Sequence, residues 1–203
     1  MHKDILTEEQ VKLLPTVNKF MKDFFLVGGT AIALQIGHRR SIDFDLFSEK
    51  DFKNAHVRKK IIEDGWKIEK VFKDEDGQYT FFINGVQMTF FHYPFEIDLE
   101  DHSENLRMPN LITLASMKAY ALGRRAKWKD YVDLYFIFNK TSSIKPTIEK
   151  SKKIFGNEFN ENLFRKQLTY FEDINYDEKI EFLPGFEVSE EKIKEELISF
   201  SLE

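Results

Sequence analysis

Residues 24–48 read FFLVGGTAIALQIGHRRSIDFDLFS. The apolar run Phe24 to Val27 stops at Gly28-Gly29, which predicts a short buried strand ending in a tight turn. Thr30 then opens a short apolar helix that closes at Gly37. In the segment after it, Ile42, Phe44 and Leu46 alternate with Asp43 and Asp45. Side chains of a strand alternate between its two faces, so the three apolar residues are expected in the core and the two aspartates together on the other side. Paired glycines let backbone N–H groups approach a phosphate closely, and a helix start adds a favourable dipole. Two carboxylates on one face suit a hard cation, Mg²⁺ or Mn²⁺, which would bridge the oxygens of a nucleoside triphosphate during in-line phosphoryl transfer. Alone, a Gly-Gly pair is only a turn and Asp-x-Asp only a solvated strand face. Strand, glycines, helix and acidic strand in succession make the more specific pattern.

Working outward, residues 7–22 predict a helix with Thr7 as cap, Gln10 at capping-box spacing and Pro15 as a bend or break. Residues 51–64 predict an amphipathic helix ended by Gly65. Three strand-like runs follow at 66–72, 78–83 and 86–93, the last two joined by Asn84-Gly85, a strong hairpin signal. Beyond Asn110 the pattern is helical: one long helix or two abutting ones over 111–138, a helix within 147–171, a polar loop, and a helix over 189–202 capped by Ser189. The expected class is α+β, a small mixed or mostly antiparallel sheet flanked by helices. Residues 1–108 would form the core and 109–203 a helical part packed on it, since no Pro/Gly-rich linker separates them.

Composition narrows the function. The 203 residues carry a net charge of -5, which argues against a generic nucleic-acid coat while allowing a local basic patch. Without cysteine there are no disulfides, thiolate metal sites or cysteine nucleophile. The polar N-terminus MHKDILTEEQ lacks an export-signal apolar stretch, and no apolar run is long enough to span a bilayer, so a cytoplasmic protein without membrane contact is expected. The 21 phenylalanines read as core filler.

Residues 24–48 resemble the signature of the AbiEii-like nucleotidyltransferases, the toxin-type enzymes of type IV toxin–antitoxin systems in the DNA polymerase β-like superfamily. Gly28, Gly29 and Thr30 match the family's glycine turn, Asp43 and Asp45 its metal-binding aspartates, and His38, Arg39, Arg40 and Ser41 the basic stretch before them. Residues 114–138, LASMKAYALGRRAKWKDYVDLYFIF, resemble its helical motif, with Lys118, Arg125, Lys129 and Asp130 at matching positions. Residues 168–186, LTYFEDINYDEKIEFLPGF, resemble a later family stretch. On a single helix, Lys118, Leu122, Arg125 and Lys129 would also share one face, as a cationic row for a triphosphate. The bland alternative is a basic face paired with Asp130 or Asp133.

The resemblance implies transfer of a nucleoside monophosphate from a nucleoside triphosphate to a hydroxyl acceptor, a tRNA 3′ end or a protein side chain, with an antitoxin as partner. Asp43 and Asp45 would hold metal. Gly28, Gly29, Thr30, Lys118, Arg125 and Lys129 would hold nucleotide, and Asp130 would orient a cation or assist proton transfer. One departure stands out. Residues 86–91, VQMTFF, lack the third strand carboxylate usual in the superfamily; Thr89 takes that place, with Glu96 and Asp98 in the following loop as substitutes. That departure keeps open a catalytically silent nucleotide- or partner-binding module, and a metal-dependent phosphohydrolase is a third reading. No histidine pair has zinc-ligand spacing; His38, beside the arginines, could touch phosphate, but a lone loop histidine reads first as a surface residue.

Overall fold

The computed structural model describes residues 1–102 and 105–203. Helix α1 (Glu8–Asn18) opens with a reciprocal capping box: the Gln10 amide donates to the Thr7 hydroxyl at 3.2 Å, and the Thr7 amide to the Gln10 side chain at 3.0 Å. Pro15 is accommodated inside the helix, which ends three residues later. Strand β1 (Phe25–Val27) runs directly into α2 (Gly28–Ile36), so the two glycines form the helix's first turn instead of a separate bend. Gly37, at φ 82°, terminates α2 in the left-handed conformation that glycine adopts most readily.

Strand β2 (Phe44–Ser48) and α3 (Asn54–Glu63) lead to β3 (Lys70–Glu75), β4 (Gln78–Ile83) and β5 (Val86–His92). The sheet order is β1-β2-β5-β4-β3, antiparallel throughout except for the parallel β2–β5 pair. A parallel pair needs a crossover, and α3 with the β3–β4 hairpin supplies it. The acidic strand is thereby placed inside the sheet. Asn84 and Gly85 both have positive φ, the geometry that a two-residue hairpin requires. A ribbon of β6 (Glu100–Asp101) and β7 (Arg107–Met108) precedes α4 (Leu111–Leu122), α5 (Trp128–Thr141), α6 (Lys145–Phe155), α7 (Glu161–Gln167) and α8 (Glu190–Ser201). No helix among the described residues is long and apolar enough to cross a membrane.

Helix α2 packs against both the sheet and the later helices. Apolar on nearly every side, it contacts β1 and β2 on one flank and α4 and α5 on the other. Phenylalanines fill the space over the sheet: Phe90 meets Phe20 and Phe24 edge-on and stacks on Phe81.

Several expected boundaries move. The strand expected at 66–72 is β3, displaced toward the C-terminus. The Trp66 amide still bonds to Ile61 as the chain leaves α3, and β3 continues through polar Lys73, Asp74 and Glu75 as an exposed edge. The helical region 111–138 is two helices, parted at 123–127. The helix expected within 147–171 is instead α6, which begins earlier at Lys145, a 3-10 turn and α7. Ile42 does not enter the core. It precedes β2 and is 61% exposed, while Phe44 and Leu46 are fully buried.

This difference is measurable by chemical denaturation. Leu46→Ala should cost about 2–5 kcal/mol through the cavity it leaves, whereas Ile42→Ala should stay within about 0.5 kcal/mol of the parent. Equal losses at the two positions would contradict the placement of β2.

Candidate functional site

The site starts where β1 becomes α2. Gly28 has φ +70°, and a Cβ there would run into the Asp45 carboxylate; a Cβ on Gly29 would strike the Arg39 guanidinium and come within 3.1 Å of the Ser41 hydroxyl. Glycine is needed at both positions because side chains from the next strand and loop press against the backbone. The α2 N-terminus carries no side-chain cap. Thr30 is buried; its hydroxyl donates to the Asp43 carbonyl and lies 2.9 Å from the Ser41 hydroxyl, fastening the loop before β2 to the helix start.

Asp45 sits in register with Val27 on β1 and Thr89 on β5. Its charge acts on Asp43, two residues earlier. Burial pushes the Asp43 carboxyl up to about 6, with the Asp45 charge as the next cause and Lys129 opposing. Burial also raises Asp45, against Lys129, Lys118, Arg125 and a hydrogen bond from Thr89. Thr89 therefore contacts Asp45 as a hydroxyl at the position expected for a third carboxylate. Asp98 bonds to Lys150 of α6, and Glu96 is exposed; neither is a main influence on Asp43 or Asp45.

Behind the carboxylates lies a buried charge network. Asp133 of α5 accepts from Arg39 Nε at 2.8 Å and Nη2 at 2.9 Å, contacts His38 Nε2 at 2.8 Å and pairs with Lys118 Nζ at 2.9 Å. Asp130, one helical turn earlier, accepts from Lys118 at 2.5 Å and from Arg125 at 3.2 Å. Asp130, Asp133 and His38 are fully buried, and Arg39 and Lys118 nearly so. Burial alone would raise the Asp133 carboxyl; Arg39, Lys118 and His38 together hold it well below the usual carboxylate range. Asp130 is likewise lowered, its burial outweighed by Lys118 and Arg125. At the rim, Lys127 and Lys129 both bond to Glu178, from the segment between α7 and α8.

The family model described as "Nucleotidyl transferase AbiEii toxin, Type IV TA system" matches residues 13–196. The chain belongs to this family. The Aquifex aeolicus (strain VF5) protein aq_aa25 is 31% identical over 185 residues, covering 86% of this chain and 88% of that protein. Among solved structures, the Mycobacterium tuberculosis H37Rv nucleotidyltransferase toxin MenT4 shares 12% identity at a TM-score of 0.59, over 96% of this chain and 84% of its own. JHP933 from Helicobacter pylori shares 15% at 0.56, over 97% and 92%. At those identities the likeness shows the fold.

In this AbiEii chain the sequence-marked residues converge, though not by the expected route. Lys118 is on α4, Arg125 in the turn after it and Lys129 on α5, so no single helix carries the cationic row. The turn at 123–127 brings the three together instead, all three acting on Asp45. His38 is not at the surface; it packs 4.8 Å from the Phe136 ring, and among the described residues its Nδ1 has no hydrogen-bond partner. Asp133 was visible only as a pairing option, although its spacing of three from Asp130 puts both on one face of α5. Nothing in sequence marked Glu178.

Asp133 sets an acid limb of stability. Its folded pKa lies below the unfolded value of 3.8, so its stabilisation is complete above that pH and is lost as pH falls toward the folded value. Asp133→Asn should lose about 3–5 kcal/mol at pH 7 by leaving buried cations short of a partner. The gap from the parent, followed by urea titration, should narrow below about pH 4. A gap constant from pH 7 to pH 3 would contradict the role.

Proposed function

We propose that this chain is a metal-dependent nucleotidyltransferase that moves a nucleoside monophosphate from a nucleoside triphosphate to a hydroxyl acceptor, as the toxin of a type IV toxin–antitoxin pair. The observation that carries the reading is the close approach of Asp45 to the Gly28 backbone, with Asp43 beside it. Carboxylates and helix-start amides thus border one space. In this reading residues 1–108 supply the acids and glycines, and 109–203 the cations.

The donor set fits Mg²⁺. Burial first, and then the charge of Asp45, raise the Asp43 carboxyl, and a divalent ion held by the two hard oxygen donors would offset both. Among the described residues no third His, Cys, Asp or Glu joins them in a metal-holding group, which suits an ion that takes its other ligands from water and phosphate. When bound, the ion would neutralise charge developing on the transferred phosphoryl group.

The chain's own residues position the reactants. The amides of Gly28, Gly29 and Thr30 at the start of α2 hold phosphate oxygens. Lys129 and half-exposed Arg125 face the polyphosphate, while Lys118, bound to Asp130 and Asp133, adds positive potential from beneath. Of its two expected roles, Asp130 takes the orienting one, since it holds Lys118 and Arg125 and its proton affinity is lowered. The acceptor oxygen bonds to the α-phosphorus, the bond to the bridging oxygen breaks, pyrophosphate leaves, and the hydroxyl proton passes to water. A tRNA 3′ end and a protein side chain are the acceptor classes, and an antitoxin is the partner. Thr89 in place of a carboxylate favours one rival, a silent binding module that holds nucleotide without turnover.

Incubation with labelled nucleoside triphosphates, Mg²⁺, and RNA or protein acceptors should label an acceptor and release pyrophosphate. Asp43→Ala should lower transfer at least about 100-fold, the scale of several kcal/mol of lost charge stabilisation. Binding without any turnover selects the silent module, and phosphate release without acceptor labelling selects a phosphohydrolase. Absence of both binding and transfer by the parent protein sinks the proposal.

A further inference from the structure

The segment between α7 and α8 crosses the site as an extended strap. At one end it pairs with the turn between α4 and α5: the Asn175 amide donates to the Ala126 carbonyl at 2.8 Å, and the Trp128 amide to the Asn175 carbonyl at 3.0 Å. At the other end it pairs with the loop before β2: the Arg40 amide donates to the Glu181 carbonyl at 2.9 Å, and the Leu183 amide to the His38 carbonyl at 3.1 Å. Glu178 lies midway between these anchors, three residues from Asn175 and three from Glu181. One carboxylate oxygen accepts from Lys127 at 2.7 Å and the other from Lys129. The same carboxylate acts on Asp43 as a like charge, and Lys129 is the strongest cationic influence on both Asp43 and Asp45.

The arrangement has the chemistry of a bound phosphate. Two oxygens of one fixed anion are shared between two ammonium groups at the edge of the carboxylate pair. Glu178 is an anion throughout the neutral range, held down to about 2 by the two lysines against its burial. Its side chain is 44% exposed and that of Lys127 36%, so their ion pair is open to solvent and cheap to exchange, while Lys129, at 20%, is the more enclosed partner. The strap does not depend on them, because its backbone is anchored on both sides.

We infer that Glu178 is an internal occupant of the polyphosphate site: it holds Lys127 and Lys129 in the free protein and yields both to the terminal phosphates of an incoming nucleoside triphosphate. Glu178 then lowers affinity for polyphosphate and keeps the two lysines from binding other anions. The inference rests on the nucleotidyltransferase reading and adds a residue that tunes its substrate binding.

The test is calorimetric binding of Mg²⁺-tripolyphosphate, a probe independent of the base, at fixed ionic strength. Glu178→Gln removes the competing charge and should bind about three- to tenfold more tightly. Glu178→Asp keeps the charge on a shorter arm and should fall between parent and Gln variant. In a Lys127→Met, Lys129→Met background the gain from Glu178→Gln should vanish. Equal or weaker binding by the Gln variant, with its unfolding midpoint unchanged, overturns the inference, as does a gain that survives loss of both lysines. If the Gln variant fails to fold, the Asp variant decides: affinity no tighter than the parent overturns it. Parent protein that binds no tripolyphosphate counts against the nucleotidyltransferase reading itself, which separates the two failures.

Discussion

Asp133 is the residue that ties helices α4 and α5 to the loop before β2. Its buried carboxylate meets Arg39 and His38 from the loop before β2 and Lys118 from α4. Burying so many charges is expensive unless nearly every one is paired and hydrogen-bonded in good geometry. The arrangement therefore tolerates little displacement of α5 against the loop, and that loop runs straight into Asp43 and Asp45. Arg39 has a second duty, since its guanidinium packs against Gly29 where any side chain would collide. One network thus sets the distance between the glycine-bearing helix start, the acidic strand and the cationic helices.

The sheet order serves the same end. Because β2 is an interior strand, with β1 on one side and β5 on the other, Asp45 is held by hydrogen-bonded neighbours along both edges. Thr89 arrives beside it through the parallel pairing, and Gly28 through the abrupt passage from β1 into α2. The carboxylates are partly desolvated by this confinement, which is why their proton affinities rise although lysines stand nearby. Sites that gather like charges in this way are suited to an ion of opposite sign. Membership of the AbiEii family accords with that chemistry.

Most of the fold was legible in the chain. The alternation through Phe44 and Leu46, the glycine signals at Gly37 and Asn84-Gly85, and the caps at Thr7 and Ser189 each act over a few residues, and each appears where expected. Less legible were elements governed by distant partners. Strand β3 overlaps the expected run only through Lys70, Val71 and Phe72, and its polar end at Lys73, Asp74 and Glu75 is defined by pairing with β4. Ile42 follows the strand's alternation but lies just outside β2, so its apolar side chain stays in solvent.

For the candidate site, the sequence by itself determined which residue types stand close along the chain: Gly28 beside Gly29 after an apolar run, Asp43 two residues before Asp45, and a run of Lys and Arg near Asp130. These are local patterns, because strand and helix periodicities decide which neighbours share a face. Only the tertiary structure decided that Lys118, Arg125 and Lys129 meet across a turn between two helices, that His38 is buried against Asp133, and that Glu178 reaches back to Lys127 and Lys129. The physical reason is separation. His38 and Asp133 are 95 positions apart, and Glu178 is 49 from Lys129. No short-range periodicity relates such residues; burial of the apolar faces of α2, α4 and α5 brings them together.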